Sequence, residues 1–191
     1  PTTASWWVTP TSKRCELGAM SGASEGKGGV TAVRAELATD HLLADGRRPV
    51  AGAVLVNPAG LVLLQHRDDR PDIDSPGQWS LFGGGLDVGE TPAAAMLREI
   101  EEEIGYRPRA YRPLVVVSGW HAEFHVFLAE VGAPIEELVL SEGQGFGYFT
   151  RAEALELDLT EVARVALAAL SLLEAQRDQR GGGPLLPPYV L

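Results

Sequence analysis

Residues 83–106 constrain the fold more than any other part of the chain. Three glycines, Gly83, Gly84 and Gly85, are followed by Thr91, Pro92, an uninterrupted helix-compatible run and then Gly105. A threonine hydroxyl caps a helix by accepting from first-turn N–H groups. Proline suits the first helical position, where its missing N–H would have no partner, and glycine supplies the left-handed residue that ends a helix. The spacing predicts a helix over 92–104, entered from a glycine turn. At about 100° per residue, Ala93, Leu97, Ile100 and Ile104 fall on one stripe, the face expected to pack on a sheet.

Glu99, Glu102 and Glu103 fall together on a different face, at the spacings that bring helical side chains side by side, while Glu101 points elsewhere. Like charges at this spacing cost a few tenths of a kcal/mol, and the helix C-terminus favours cations over anions. A solvated acidic face would explain the spacing alone. A bound hard cation such as Mg²⁺ or Mn²⁺, which takes carboxylate oxygens, would offset both costs. The glycine turn before the helix, Glu90 ahead of it and Arg98 beside the acids favour the cation.

The surrounding pattern is that of an α/β domain. Residues 50–56 and 61–66 read as strands joined by the turn Asn57-Pro58-Ala59-Gly60, a β-hairpin. Residues 79–82 suggest one short strand running into the glycines. Residues 114–118 and 122–129 suggest a second pair of strands, with short candidates at 137–140 and 147–149 on either side of a turn. Helices over 152–157 and 161–176 close the domain, the second with the apolar content of a helix packed on a sheet.

Residues 1–47 are expected to be an N-terminal extension, largely unordered or loosely attached, with a short helix or strand within 34–47. The domain is expected over 48–178, and the Gly/Pro-rich residues 179–191 are expected to be a tail. Residues 1–47 carry five acids and five bases, so the net charge of -10 lies wholly in the remainder. Such a surface repels nucleic-acid backbone and anionic lipid, so neither a nucleic-acid polymer nor a membrane is the expected partner. No apolar run reaches the ~18 to 20 residues of a membrane span. The single cysteine, Cys15, excludes an intramolecular disulfide and a Cys-rich zinc site, which fits a reducing, cytoplasmic setting.

Residues 84–106 resemble the signature of the Nudix hydrolases, G-x5-E-x7-R-E-U-x-E-E-x-G-U with U a bulky aliphatic residue. Here it reads Gly84, Glu90, Arg98, Glu99, Ile100, Glu102, Glu103, Gly105 and Tyr106, and only the aromatic Tyr106 departs. The resemblance implies an α/β/α sandwich with a mixed sheet. It also implies that Glu99, Glu102 and Glu103 hold divalent metal, with the carbonyl of Gly83 or its neighbour as a further ligand, and that Glu90 and Arg98 form the pair that orients Glu99. Ahead of the box, Phe82-Gly83-Gly84 stands where the family often has Pro-Gly-Gly.

Ser141-Glu142-Gly143-Gln144 resembles the Glu-Gly-Gln segment of family members that remove oxidised guanine nucleotides, which makes Glu142 the candidate extra acid. The implied activity is hydrolysis of a nucleoside diphosphate linked to another moiety, with Glu142 or Glu99 as general base. The segment leans toward a nucleoside triphosphate or oxidised dNTP over ADP-ribose or a nucleotide sugar. A nucleotide-sensing or scaffold module without turnover is the competing class. The expected partner is a small nucleotide, and the family allows a homodimer. Arg67 or Arg70 is a candidate to contact phosphate and Trp79, Trp120 or Phe146 to stack on a base, against the alternatives of solvated loop arginines and of core or loop-anchoring aromatics. His121, Glu123 and His125 share a strand face and are expected to lie on a solvated outer surface.

Overall fold

A computed structural model describes residues 7–8, 42–182 and 185–186. Expectations for the rest of 1–41 and for most of the tail fall outside these residues. Trp7–Val8 form strand β1, which pairs with residues 146–147. Residues 42–47, expected to continue a helix or strand, instead make a turn in which the Gly46 N–H donates to the Leu43 carbonyl. The chain then enters β2 (Arg48–Val56), which is followed by β3 (Val62–His66).

β2 is the centre of the sheet, and its composition explains why. Ala51, Ala53 and Leu55 face one layer while Val54 and Val56 face the other, so the strand reads as a continuous apolar run buried on both sides. One edge of β2 pairs in parallel with β7 (Ala122–Glu130), from Arg48 opposite Ala122 to Val56 opposite Glu130. The other edge is shared: Leu55 and Val56 pair with β3, whereas residues 50–53 pair with β5 (Phe82–Gly85).

The single strand expected at 79–82 is therefore two. β4 (Trp79–Ser80) pairs with β3, the partner changes at Leu81, and β5 pairs with β2. Gly83 makes that close approach possible. Its φ is 140°, and a Cβ there would lie 2.2 Å from the Ala51 carbonyl oxygen.

Helix α1 (Pro92–Ile104) has the predicted ends: Thr91 accepts from the Ala94 N–H, and Gly105 is left-handed at φ 66°. Its buried face differs from the stripe expected. Ala95, Met96, Ile100, Glu103 and Ile104 are buried, with Ala93 and Leu97 at the margin, so one glutamate turns into the molecule.

β6 (Tyr111–Ser118) pairs antiparallel with β7, with an irregularity between Pro113 and Val115, and β8 (Gly145–Phe149) pairs with β3. The strand expected at 137–140 is absent; Ile135–Glu137 form a 3₁₀ turn and the residues after it run irregularly. α2 (Arg151–Leu155) and α3 (Glu161–Gln179) follow, and α3 covers the second face of the sheet through Ala163, Ala166, Leu167 and Leu170. The order β1-β8-β3-β2-β7-β6, with one parallel pair and a helical layer on each face, is the expected α/β/α sandwich with a mixed sheet. Among the described residues no helix is long and apolar enough to cross a membrane.

Candidate active site

The glycine turn, the second half of α1 and the loop before β8 meet at one end of the sheet. Glu103 is 7% exposed and is held from the turn by the Gly83 N–H, which donates to its Oε2 at 2.8 Å. The Gly83 group seen touching an acid is thus its amide. Glu99, Glu102 and Glu103 are neighbours that differ in burial: Glu99 and Glu102 both accept from Arg98 Nη1, Glu102 is exposed, Glu99 is largely covered and Glu103 lies in the interior. Burial, together with the charges of Glu99 and Glu142, pushes the Glu103 carboxyl up to about 8. Burial raises Glu99 as well, against the opposing effect of Arg98.

Arg98 organises the exposed side. Its Nε and Nη2 donate to the two oxygens of Glu90 at 3.1 and 3.0 Å, Nη2 also donates to the Gly85 carbonyl at 2.9 Å, and Nη1 donates to Glu99 Oε1 at 2.7 Å. Glu90 is presented by a turn in which its own carboxylate accepts from the Asp87 N–H, and Arg98 holds that carboxyl below its ordinary range. A planar fork suits this task, because one guanidinium can address two carboxylates and a carbonyl at fixed angles. Arg98 Nη1 also reaches Glu102 Oε2 at 3.3 Å.

Glu142 enters from the other side. The Ser141 N–H donates to the Glu103 carbonyl, the Gln144 N–H donates to the His66 carbonyl, and the Gln144 side chain donates to the Arg67 carbonyl, each at 2.8 Å. The loop is pinned between α1 and the end of β3. Gly143 at φ 87° permits the contact, since a Cβ would lie 2.7 Å from the His66 carbonyl oxygen. Each residue of the Glu-Gly-Gln segment has a local reason: an acid beside Glu103, a close approach, and an amide that caps the strand end.

The other candidates are placed elsewhere. Arg67 Nε donates to the Asp74 carbonyl at 3.0 Å within its own loop. Trp79 packs in the α3 layer, with His66 stacked on it at 4.7 Å and the Phe149 ring at its edge, so one face of the indole is already covered. The solvated surface expected of His121, Glu123 and His125 is only partly found. Glu123 accepts from Arg47 Nη2 at 2.9 Å and lies 3.2 Å from His125 Nε2, both side chains about three-quarters covered, at 21 and 26% exposure. Tyr106, the departure from the box, packs against the α1 core and accepts the Gly132 N–H on its hydroxyl at 3.0 Å.

Sequence reasoning passed over Gln65. Its signal was available: in a strand whose Leu63 faces the α1 layer, a polar residue two positions on faces inward as well.

The oxygen donors of Glu99, Glu103 and Glu142 suit a hard divalent cation, and a cation would relieve the cost of ionising Glu103 in the interior. Among the described residues no three His, Cys, Asp or Glu side chains already converge in a ligating arrangement. Glu99 and Glu102 each accept from Arg98 Nη1, and the Glu102 side chain is 61% exposed.

A family model described as NUDIX domain matches residues 46–173, from the turn just before β2 into α3. An RNA pyrophosphohydrolase of Psychrobacter sp. (strain PRwf-1) is 42% identical over 77 residues, 40% of this chain and 41% of that protein, so the chain spans about two fifths of the length of that relative. Nucleoside triphosphatase NudI of Enterobacter sp. (strain 638) is 29% identical over 141 residues, 66% of this chain and 99% of that protein. The solved MutT NUDIX hydrolase from Burkholderia pseudomallei is 31% identical with a TM-score of 0.56, covering 65% of this chain and 98% of that one. With the box acids lying inside the matched region, the chain belongs to the NUDIX domain family.

Proposed function

We propose that the protein hydrolyses the diphosphate linkage of a small nucleotide with the help of a divalent cation, Mg²⁺ or Mn²⁺. The observation that carries this reading is a buried glutamate, Glu103, held by the glycine turn and near enough to Glu99 and Glu142 to feel their charges, with the Arg98–Glu90 pair bracing Glu99. Glu99, Glu102 and Glu103, with Glu142 from the loop, would hold the cation. Bound there, it would supply neutralisation of phosphate charge and a water of lowered pKa.

Arg98 holds the Glu99 carboxylate in place through its Oε1. Glu142 or Glu99 takes the proton from the attacking water as general base. Nucleoside triphosphates and oxidised dNTPs are favoured over ADP-ribose and nucleotide sugars. The Glu-Gly-Gln loop supports this choice, as does similarity to a nucleoside triphosphatase along 99% of its length. The net charge of -10 weighs against a long RNA substrate. A binding module without turnover would have no use for a buried acid of this kind, because its ionisation costs stability.

Product analysis tests the reading. Triphosphates, oxidised dNTPs, ADP-ribose, nucleotide sugars and a 5′-triphosphorylated RNA oligomer are each incubated with Mg²⁺ or Mn²⁺, beside a folded Glu103→Gln control. Release of a nucleoside monophosphate and pyrophosphate from triphosphates, lost in the control, is expected. No turnover on any member, with tight nucleotide binding retained, would overturn it in favour of the module.

A further inference from the structure

Gln65 stands where an apolar side chain would ordinarily be. It is 4% exposed on the face of β3 that also carries Leu63, in contact with the α1 layer. A carboxamide in such a place is costly unless its polar atoms are satisfied. Its Nε2 donates to the Glu142 peptide carbonyl at 3.1 Å and lies 3.5 Å from Glu103 Oε1. These two partners come from different elements, the loop before β8 and helix α1. Gly143 rests on the same amide, since a Cβ there would lie 3.3 Å from Gln65 Cγ and Nε2.

We propose that Gln65 is a positioning residue, whose buried amide ties the Glu142 loop to the Glu103 carboxylate so that both acids address one cation. The inference rests on the hydrolase reading above. Backbone contacts at Ser141 and Gln144 already attach the loop to α1 and β3. Gln65 adds the contact at Glu142 itself, between those two anchors. A side chain of similar volume without a donor would keep the packing and leave the Glu142 carbonyl and the near oxygen of Glu103 without that amide.

Gln65→Met tests this, since methionine fills the space and cannot donate. Mn²⁺ binding is followed by electron paramagnetic resonance without substrate, and kcat and KM are measured on the triphosphate found to be turned over. The expected result is a folded variant with Mn²⁺ affinity about tenfold weaker, kcat lower by about 10 to 100-fold and KM nearly unchanged, the range for residues that orient metal ligands. In a Glu142→Gln background the same change should cost much less, because the two act together.

Wild-type Mn²⁺ affinity and kcat in folded Gln65→Met, or losses that multiply fully with Glu142→Gln, would overturn the proposal. If Gln65→Met does not fold, Gln65→Asn takes its place, polar but too short to span both partners, with the same losses expected. Failure of both to fold would assign Gln65 to the fold and also overturn it. Glu103→Gln separates the two levels. If Glu103→Gln is inactive while Gln65→Met is normal, only the Gln65 inference falls, whereas a fully active Glu103→Gln removes the hydrolase reading and this inference with it.

Discussion

The carboxyl of Glu99 lies directly over the backbone of Gly84: a Cβ built on Gly84 would be 2.4 Å from the Glu99 carboxyl carbon. Arg98 holds the carboxyl there through a 2.7 Å hydrogen bond. The first glycine of the box is thus tied by space to its first helical acid.

Gly84→Ala should therefore fold and fail to work. The clash is with the end of a side chain that can move, so the melting temperature should drop by only a few degrees. Glu99 would be displaced from Arg98, with turnover reduced by about 10 to 100-fold. Steady-state kinetics beside thermal unfolding checks this, and unchanged kcat would show that the position of Glu99 is not critical.

How much of this was legible depends on the range of the forces involved. Thr91, Pro92 and Gly105 act within one turn of helix, and their effects were readable from spacing. The change of partner at Leu81 was not, because it depends on β2 sharing one edge between β3 and β5, which no local pattern records. The role of β2 as a central strand was half visible in its apolar run, yet its parallel pairing with β7 joins residues far apart in the chain. The burial of Glu103 is illegible for a related reason. A wheel groups residues by angle and does not say which of them the rest of the chain covers. The Gly83 N–H and the Gln65 amide, supplied by other strands, make the interior tolerable for this carboxyl.

Arg98→Lys should preserve charge and lose geometry. Lysine cannot reproduce two donors to Glu90, one to Glu99 and one to the Gly85 carbonyl at once. A fall in kcat of about 10 to 100-fold with little change in KM is expected. A large rise in KM with kcat unchanged would instead place Arg98 on the substrate.

Gly143→Ala should act on both stability and activity. Its left-handed φ of 87° and the 2.7 Å approach to the His66 carbonyl oxygen leave no room for a Cβ without moving backbone. A cost of about 1 to 3 kcal/mol is expected from urea unfolding. Glu142 would move with the loop, so turnover should fall even at temperatures where the variant is fully folded. Full activity there would separate Glu142 from the reaction.

The strongest dependence on pH should come from Glu103. In the folded chain burial, reinforced by Glu99 and Glu142, keeps it protonated up to about pH 8; in the unfolded chain it ionises near an ordinary glutamate value of about 4.3. Between these limits the folded state binds more protons than the unfolded one, so stability is highest below the lower value and falls as pH rises through the upper one. Glu103→Gln cannot ionise and should lack this slope. In EDTA the two proteins should be similarly stable at about pH 5, and the variant should be the more stable at about pH 9, by on the order of a few kcal/mol. A divalent cation should narrow that gap at high pH, because it favours the ionised carboxyl: at 100 times its Kd it would add about 2.7 kcal/mol to the wild type. Little should be gained by the glutamine variant. Urea unfolding across this range, with and without Mg²⁺, makes the comparison. Parallel profiles in EDTA would mean that Glu103 ionises as an exposed acid does, and the account of the buried carboxylate would fail.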